Sequence, residues 1–201
     1  MNEFFNKDII SIRDLTKENL ESIYDSTNKI IEMDSSERRE IARGKALGYL
    51  FFEPSTRTRL SFQSAMALIG GTSFGIADVQ SSSIQKGESL ADTVKIMSGY
   101  TDALVLRHTL DGSSRFAAEI SEKPLINAGS GTEEHPTQAI QDLFTIKKEL
   151  KKIDGLKIGI VGDLKYGGTI YSLLYGLRNY DVDVHLISPE SLKIRTDSTY
   201  D

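Results

Sequence analysis

The sequence predicts an α/β fold, a parallel sheet flanked by helices and followed by the start of a second α/β domain. Three observations carry that expectation. Five short apolar runs alternate with six helix-length segments. Most of the runs are apolar on both faces, as expected of parallel strands covered by helices on either side. Polar and glycine-rich clusters follow the runs, where open parallel sheets hold their ligands.

Taken in order, the expected strands are 46–52 (ALGYLFF), 103–106 (ALVL), 124–127 (PLIN), 157–161 (KIGIV) and 182–187 (VDVHLI). The expected helices are 13–31, 57–68, 90–100, 113–121, 136–151 and 168–177. Within the second of these, Phe62, Met66 and Ile69 step by four and then three, which puts them on one helical face. The charged run 147–155 (KKELKKIDG) ends in Gly155 between a long helix and a fresh strand, and marks a domain boundary. Residues 1–150 are expected to form one domain. Residues 151–201 hold only strand, helix, strand and a polar tail, too little to close a second core. The chain therefore reads as the beginning of an incomplete second domain, cut short at Asp201.

Composition narrows the function. The chain has 201 residues, with 39% apolar and 26% charged, an ordinary globular balance. No apolar run approaches the roughly 20 residues that span a bilayer, and the start, MNEFFNKDII, lacks the layout of a signal peptide. With 0 cysteines there are no disulfides, thiolate metal sites or cysteine nucleophiles. The 24 Lys and Arg against 29 Asp and Glu give a net charge of −5, which argues against a nucleic-acid binder. A cytoplasmic protein without membrane or nucleic-acid partners is expected.

Three chemical clusters follow three consecutive expected strands. After ALGYLFF comes Glu53-Pro54-Ser55-Thr56-Arg57-Thr58-Arg59, leading into a helix. A helix start offers unpaired N–H groups and a positive dipole end, and arginine forks match phosphate oxygens two at a time. A single Ser-Thr pair there would read as a cap. Three hydroxyls and two guanidinium groups in five residues read as an anion site. Arg107-His108 follows ALVL, and an arginine at that place is also compatible with an ordinary surface charge. PLIN is followed by a glycine-rich stretch to His135-Pro136-Thr137-Gln138, where His135 sits at a helix start and Pro136 in its first turn. Residues 135 and 138 are three apart, so both can face one ligand. A fourth cluster, 162–169 (GDLKYGGT), fits the P-loop spacing except that Gly168 replaces the lysine, which argues against an NTPase. Gly129 and Gly131 lack the third glycine of a dinucleotide fingerprint.

Together these residues resemble the carbamoyltransferase family. Residues 52–62 (FEPSTRTRLSF) are similar to its carbamoyl-phosphate signature, His135-Pro136-Thr137-Gln138 to its second element, and 162–167 (GDLKYG) to its aspartate branch. The resemblance runs from near residue 10 to about 190. It implies transfer of a carbamoyl group from carbamoyl phosphate to the amine of L-aspartate, giving N-carbamoyl-L-aspartate and phosphate in pyrimidine synthesis. It implies no cofactor and no metal. Ser55, Thr56, Arg57 and Thr58 would hold the phosphate. Thr58, Arg107 and His135 would polarise the carbamoyl carbonyl, and Gln138 would hold its amide nitrogen. Ser82 and Lys86, in the polar loop 80–88, would reach a neighbouring subunit's site, Lys86 towards aspartate, which implies a homotrimer with shared active sites. A regulatory subunit is a further possible partner. Two features depart from the pattern: Gly168 stands where the family carries an aspartate-gripping arginine, and the later arginine-glutamine and Leu-Pro elements lie beyond Asp201. They keep open a non-catalytic carbamoyl-phosphate-binding relative or fragment, and a transferase acting on another amino acid such as ornithine.

Overall fold

The computed structural model describes residues 4–77, 87–131 and 134–195. Chain order runs through helix α1 (Lys17–Glu32), the single turn α2 (Ser35–Arg38), strand β1 (Ala46–Phe51), α3 (Thr56–Leu68), β2 (Thr72–Ile76), α4 (Leu90–Tyr100), β3 (Ala103–His108), α5 (Ser113–Ile120) and β4 (Leu125–Ser130). It continues with α6 (Pro136–Leu150), β5 (Leu156–Val161), α7 (Gly168–Leu177) and β6 (Val182–Ile187). The first four strands form a parallel sheet in the order β2-β1-β3-β4, and β5 and β6 form a separate parallel pair.

All five expected strands and all six expected helices are present, and two elements come in addition. β2 is an edge strand whose sequence, TSFGI, lacks a buried face. It nevertheless pairs closely with β1, because a Cβ on Gly75 would lie 1.9 Å from the Tyr49 carbonyl oxygen. α2 is held by the Asp34 carboxylate, which accepts from the N–H groups of Ser36 and Glu37. The expected helix 13–31 begins later, at Lys17, because Thr16 and Asn19 form a reciprocal capping box; a short 3₁₀ turn, Ile12–Asp14, precedes it.

Helices cover both faces of the four-stranded sheet. Leu50, Leu104, Leu106 and Leu125 pack under α4 and α5 with Val94, Met97 and Ala117. On the other face Leu47, Phe51, Val105 and Ala128 meet Phe62 and Met66 of α3. Gly48 lets α4 approach, since a Cβ there would lie 3.1 Å from Met97 Cε and 2.7 Å from Leu104 Cδ2 of the neighbouring β3. A third apolar cluster joins Ile12, Leu20 and Tyr24 to Leu143 of α6 and to Tyr171, Tyr175 and Leu177 of α7.

The expectation of strands buried on both faces holds for β1, β3 and β4 and fails for β5 and β6. Burial alternates along β5, and Val161 and Ile187 are 72% and 53% exposed. Helix α7 takes the other face of that pair, where Ile158, Val182 and Val184 pack. Among the described residues no helix is long and apolar enough to cross a membrane.

Candidate active site

The sheet sets the geometry. β1, β3 and β4 lie side by side with their carboxyl ends together, so the chemical clusters that follow them share one edge. β1 delivers Glu53 and then Ser55, which stands at the N-cap of α3 without using its side chain as a cap. The first turn of α3, with Thr56, Arg57 and Thr58, thus presents its dipole end with no side chain closing it. α6 is similar: His135 is its N-cap residue, its imidazole does not cap, and Pro136 removes one N–H. The hydroxyl and guanidinium groups of Ser55, Thr56, Arg57 and Thr58, an imidazole and two open helix starts make this edge suited to a phosphorylated or carboxylated ligand.

Arg107 ties the clusters together. It lies inside β3 rather than beyond it, because both β3 and β4 run further than their apolar runs, to His108 and Ser130. A bulge between Leu106 and His108 accommodates the extra length. The Arg107 Nε is 3.2 Å from a Glu53 carboxylate oxygen, and Nη1 is 3.2 Å from both the Ala128 carbonyl and the His135 Nε2. An arginine can only donate, so the His135 Nε2 is the acceptor and its ring proton is on Nδ1, 3.5 Å from the Thr137 hydroxyl. Burial, reinforced by the Arg107 charge, pushes the His135 pKa down from 6.5 to about 4, so the imidazole is neutral at physiological pH.

Gly129 makes that meeting possible. Expected as part of a loop, it lies in β4 with φ +120°, and a Cβ on it would sit 2.9 Å from Arg107 Nη1 and 3.2 Å from His135 Cδ2. The backbone of His135 is held from α7: its N–H donates to the buried Ser172 hydroxyl at 2.7 Å. Gln138 occupies the first turn of α6, where its amide donates to Asp142 at 2.8 Å.

Arg107, His135 and Glu53 are therefore joined by direct contact, while Ser55, Thr56, Arg57 and Thr58 stand on the neighbouring helix start. Lys86 and Ser82 lie outside the described residues. Sequence reading passed over Glu53 as a participant, Gly129 as a steric requirement, and Ser172. The first was visible as an acidic residue beside an arginine-rich cluster. Ser172 carried no local signal, since its partner lies 37 residues away.

A parallel sheet with open helix starts and a neutral histidine beside an arginine places the chain in the class of α/β domains suited to anionic ligands. Comparison with known proteins narrows that class. The family described as aspartate/ornithine carbamoyltransferase, carbamoyl-P binding domain, matches residues 7–148. The chain belongs to this family. It is 76% identical over 201 residues to an aspartate carbamoyltransferase catalytic subunit of Nitrosopumilus maritimus, covering 100% of this chain and 65% of that protein. Among solved structures it resembles the catalytic subunit of the Methanocaldococcus jannaschii aspartate transcarbamoylase, with a TM-score of 0.89 and 47% identity over 95% of this chain and 63% of the other. The Trypanosoma cruzi aspartate transcarbamoylase in complex with carbamoyl phosphate and aspartate gives a TM-score of 0.89 and 37% identity, over 96% and 64% of the two chains. The chain thus spans just under two thirds of the length of these relatives.

Proposed function

We propose that this chain binds carbamoyl phosphate and serves the transfer of its carbamoyl group to the amine of L-aspartate, releasing phosphate and N-carbamoyl-L-aspartate for pyrimidine synthesis. The observation that carries the reading is the Arg107 guanidinium, in contact with His135 and Glu53 beside the open start of α3. In this reading the phosphate rests on Ser55, Thr56, Arg57 and Thr58. The carbonyl oxygen meets Arg107, Thr58 and His135, and Gln138 takes the amide nitrogen.

The chemistry follows from where charge develops. As the aspartate amine attacks, the carbonyl oxygen becomes an oxyanion, and donors already fixed around it stabilise the transition state by about 3 kcal/mol each. Arg107 is such a donor without rearrangement. His135 becomes one as its other tautomer, when Nδ1 gives its proton to solvent and Nε2 takes one up, so the incoming oxygen replaces the Arg107 contact on that nitrogen. The ring stays neutral through this exchange, since one proton is lost as one is gained. Phosphate then leaves from the cationic start of α3, and no covalent intermediate on the protein is required.

Residues 1–150 form the carbamoyl-phosphate domain in this reading, and 151–201 begin the aspartate-binding unit. The protein is cytoplasmic and acts as a homotrimer, to which Ser82 and Lys86 contribute across subunits and to which a regulatory subunit can attach. Exposed Leu60 and Leu68 on α3, at 51% and 56%, and Phe74 on the edge strand β2, at 42%, support a partner surface on this side. Gly168, which places no charge at the start of α7, favours a second reading: carbamoyl-phosphate binding without turnover.

Calorimetric titration of the chain with carbamoyl phosphate tests the proposal. Saturable binding is expected, and Arg57→Ala should weaken it at least a hundredfold. A folded chain that binds no carbamoyl phosphate overturns it. Formation of carbamoyl-aspartate from added aspartate then separates the two readings.

A further inference from the structure

The dipeptide Glu134-His135 is fastened from two directions. The Ser172 hydroxyl takes the His135 N–H on one side. On the other, the Glu134 carboxylate, whose side chain is only 12% exposed, is gripped by the segment that precedes α1. One oxygen accepts from the Ser11 hydroxyl at 2.7 Å and faces Arg13 Nε at 3.3 Å, and the other accepts from the Ile12 N–H at 3.1 Å. The Glu134 carbonyl also accepts from the Ser130 N–H at 3.2 Å, which ties it to the end of β4. Arg13 does not stop at Glu134. Its guanidinium lies 3.7 Å from the centre of the Tyr175 ring and donates to the Tyr175 hydroxyl. Tyr175 is one turn beyond Ser172 on α7, so both contacts come from one face of that helix.

Packing alone does not hold Glu134 in place. A cavity of about 140 Å³ lies beside it, lined in part by Ile10, Ser11, Arg13, Gly112 and Ser114. With a cavity on one side, its hydrogen bonds and ion pair contribute to holding the side chain.

We propose that Glu134 is a positioning residue for His135, and that Arg13 couples it to Tyr175 so that the placement of α7 fixes the imidazole opposite Arg107. The ligand-binding part of this proposal rests on the function proposed above. The positioning part does not.

The test uses the whole chain and its 3 histidines, His108, His135 and His185, whose ring signals can be assigned by single substitutions. The His135 titration is followed by NMR and carbamoyl-phosphate affinity by calorimetry, for Glu134→Gln, Arg13→Gln, the double variant and Tyr175→Phe. Removing the Glu134 charge alone would not raise the His135 titration, because its carboxylate faces Ser11, Ile12 and Arg13 and not the ring. Loosening the ring would raise it towards 6.5, as burial and the Arg107 contact relax; Arg107 and Glu53 are the charges facing the ring. Glu134→Gln is expected to raise it and to weaken carbamoyl phosphate about tenfold, with thermal unfolding still cooperative and inorganic phosphate affinity within about threefold. The double variant should lose little more than Glu134→Gln alone, because both side chains act through one chain of contacts, and Tyr175→Phe should cost about threefold. An unchanged or lowered His135 titration in Glu134→Gln, or a double variant whose losses simply add, overturns the proposal. If the unmodified chain binds no carbamoyl phosphate, the proposed function fails, and the direction of the His135 titration still decides the positioning role.

Discussion

Strands β3 and β5 are both six-residue parallel strands that lead into helices, yet they end in different surroundings. β3 buries Leu104, Val105 and Leu106 completely, with α4 and α5 on one face and α3 on the other. β5 alternates, and its last residue, Val161, is 72% exposed. Composition does not separate the two, since LKIGIV and ALVLRH are both 6-residue strands with the same number of apolar residues. What separates them is the number of layers. The first sheet lies between helices, whereas the described residues cover β5 and β6 on the α7 side. The lesson is that an apolar run records what a strand can bury, and topology decides how much of it is buried.

Four experiments test that contrast. Leu104→Ala should have the largest effect, destabilising the chain by about 2–5 kcal/mol in urea unfolding, because its site is closed on all sides. A loss below 1 kcal/mol would mean that the first sheet is as loosely covered as the second. Gly129→Ala comes next, with about 1–3 kcal/mol from backbone strain at φ +120° and a displaced Arg107. Carbamoyl phosphate binding should fall at least tenfold in the same variant, measured by calorimetry.

The third concerns acid. His135 titrates at about 4 in the folded chain against 6.5 when free, so between these values the unfolded chain takes up the proton first. Stability that is fully present above pH 6.5 should therefore decline as the pH falls towards 4. His108, which burial also pushes down, adds to the same trend. Urea midpoints at pH 7, 5.5 and 4 would reveal the decline, and His135→Gln should flatten it. The smallest effect belongs to Val161→Ser, which should change stability by no more than about 0.5 kcal/mol. A larger loss would mean that this face of β5 is covered in solution.

Legibility followed the same division between local and distant information. Strands β1, β3 and β4 and the helix starts after them were readable, because each is written in a continuous stretch of sequence. So was the placement of Ser55, Thr56, Arg57 and Thr58 at one helix start and of His135 and Gln138 at another. β2 was not readable, since TSFGI has little apolar content and is a strand only because β1 offers its edge. The ends of β3 and β4 were misplaced for a related reason: Arg107 and Gly129 continue the ladder after the apolar pattern has stopped. The contacts that aim His135 were beyond sequence reading. Ser172 is 37 residues from it, and Ser11 is 123 residues from Glu134.

Those separations govern the order in which the chain can assemble during synthesis. Ile9 exchanges backbone hydrogen bonds with Leu125 and Asn127, so the segment before α1 waits for these partners until β4 has been made. At about 5–20 residues per second, the 123 residues between Ser11 and Glu134 correspond to roughly 6–25 seconds. Ser172 arrives later still. The first four strands can pair while the opening segment is loose, but His135 gains its full set of supports only after α7 has been made. The candidate active site is thus completed only after α7, and a ligand for it would select chains whose synthesis has passed that helix.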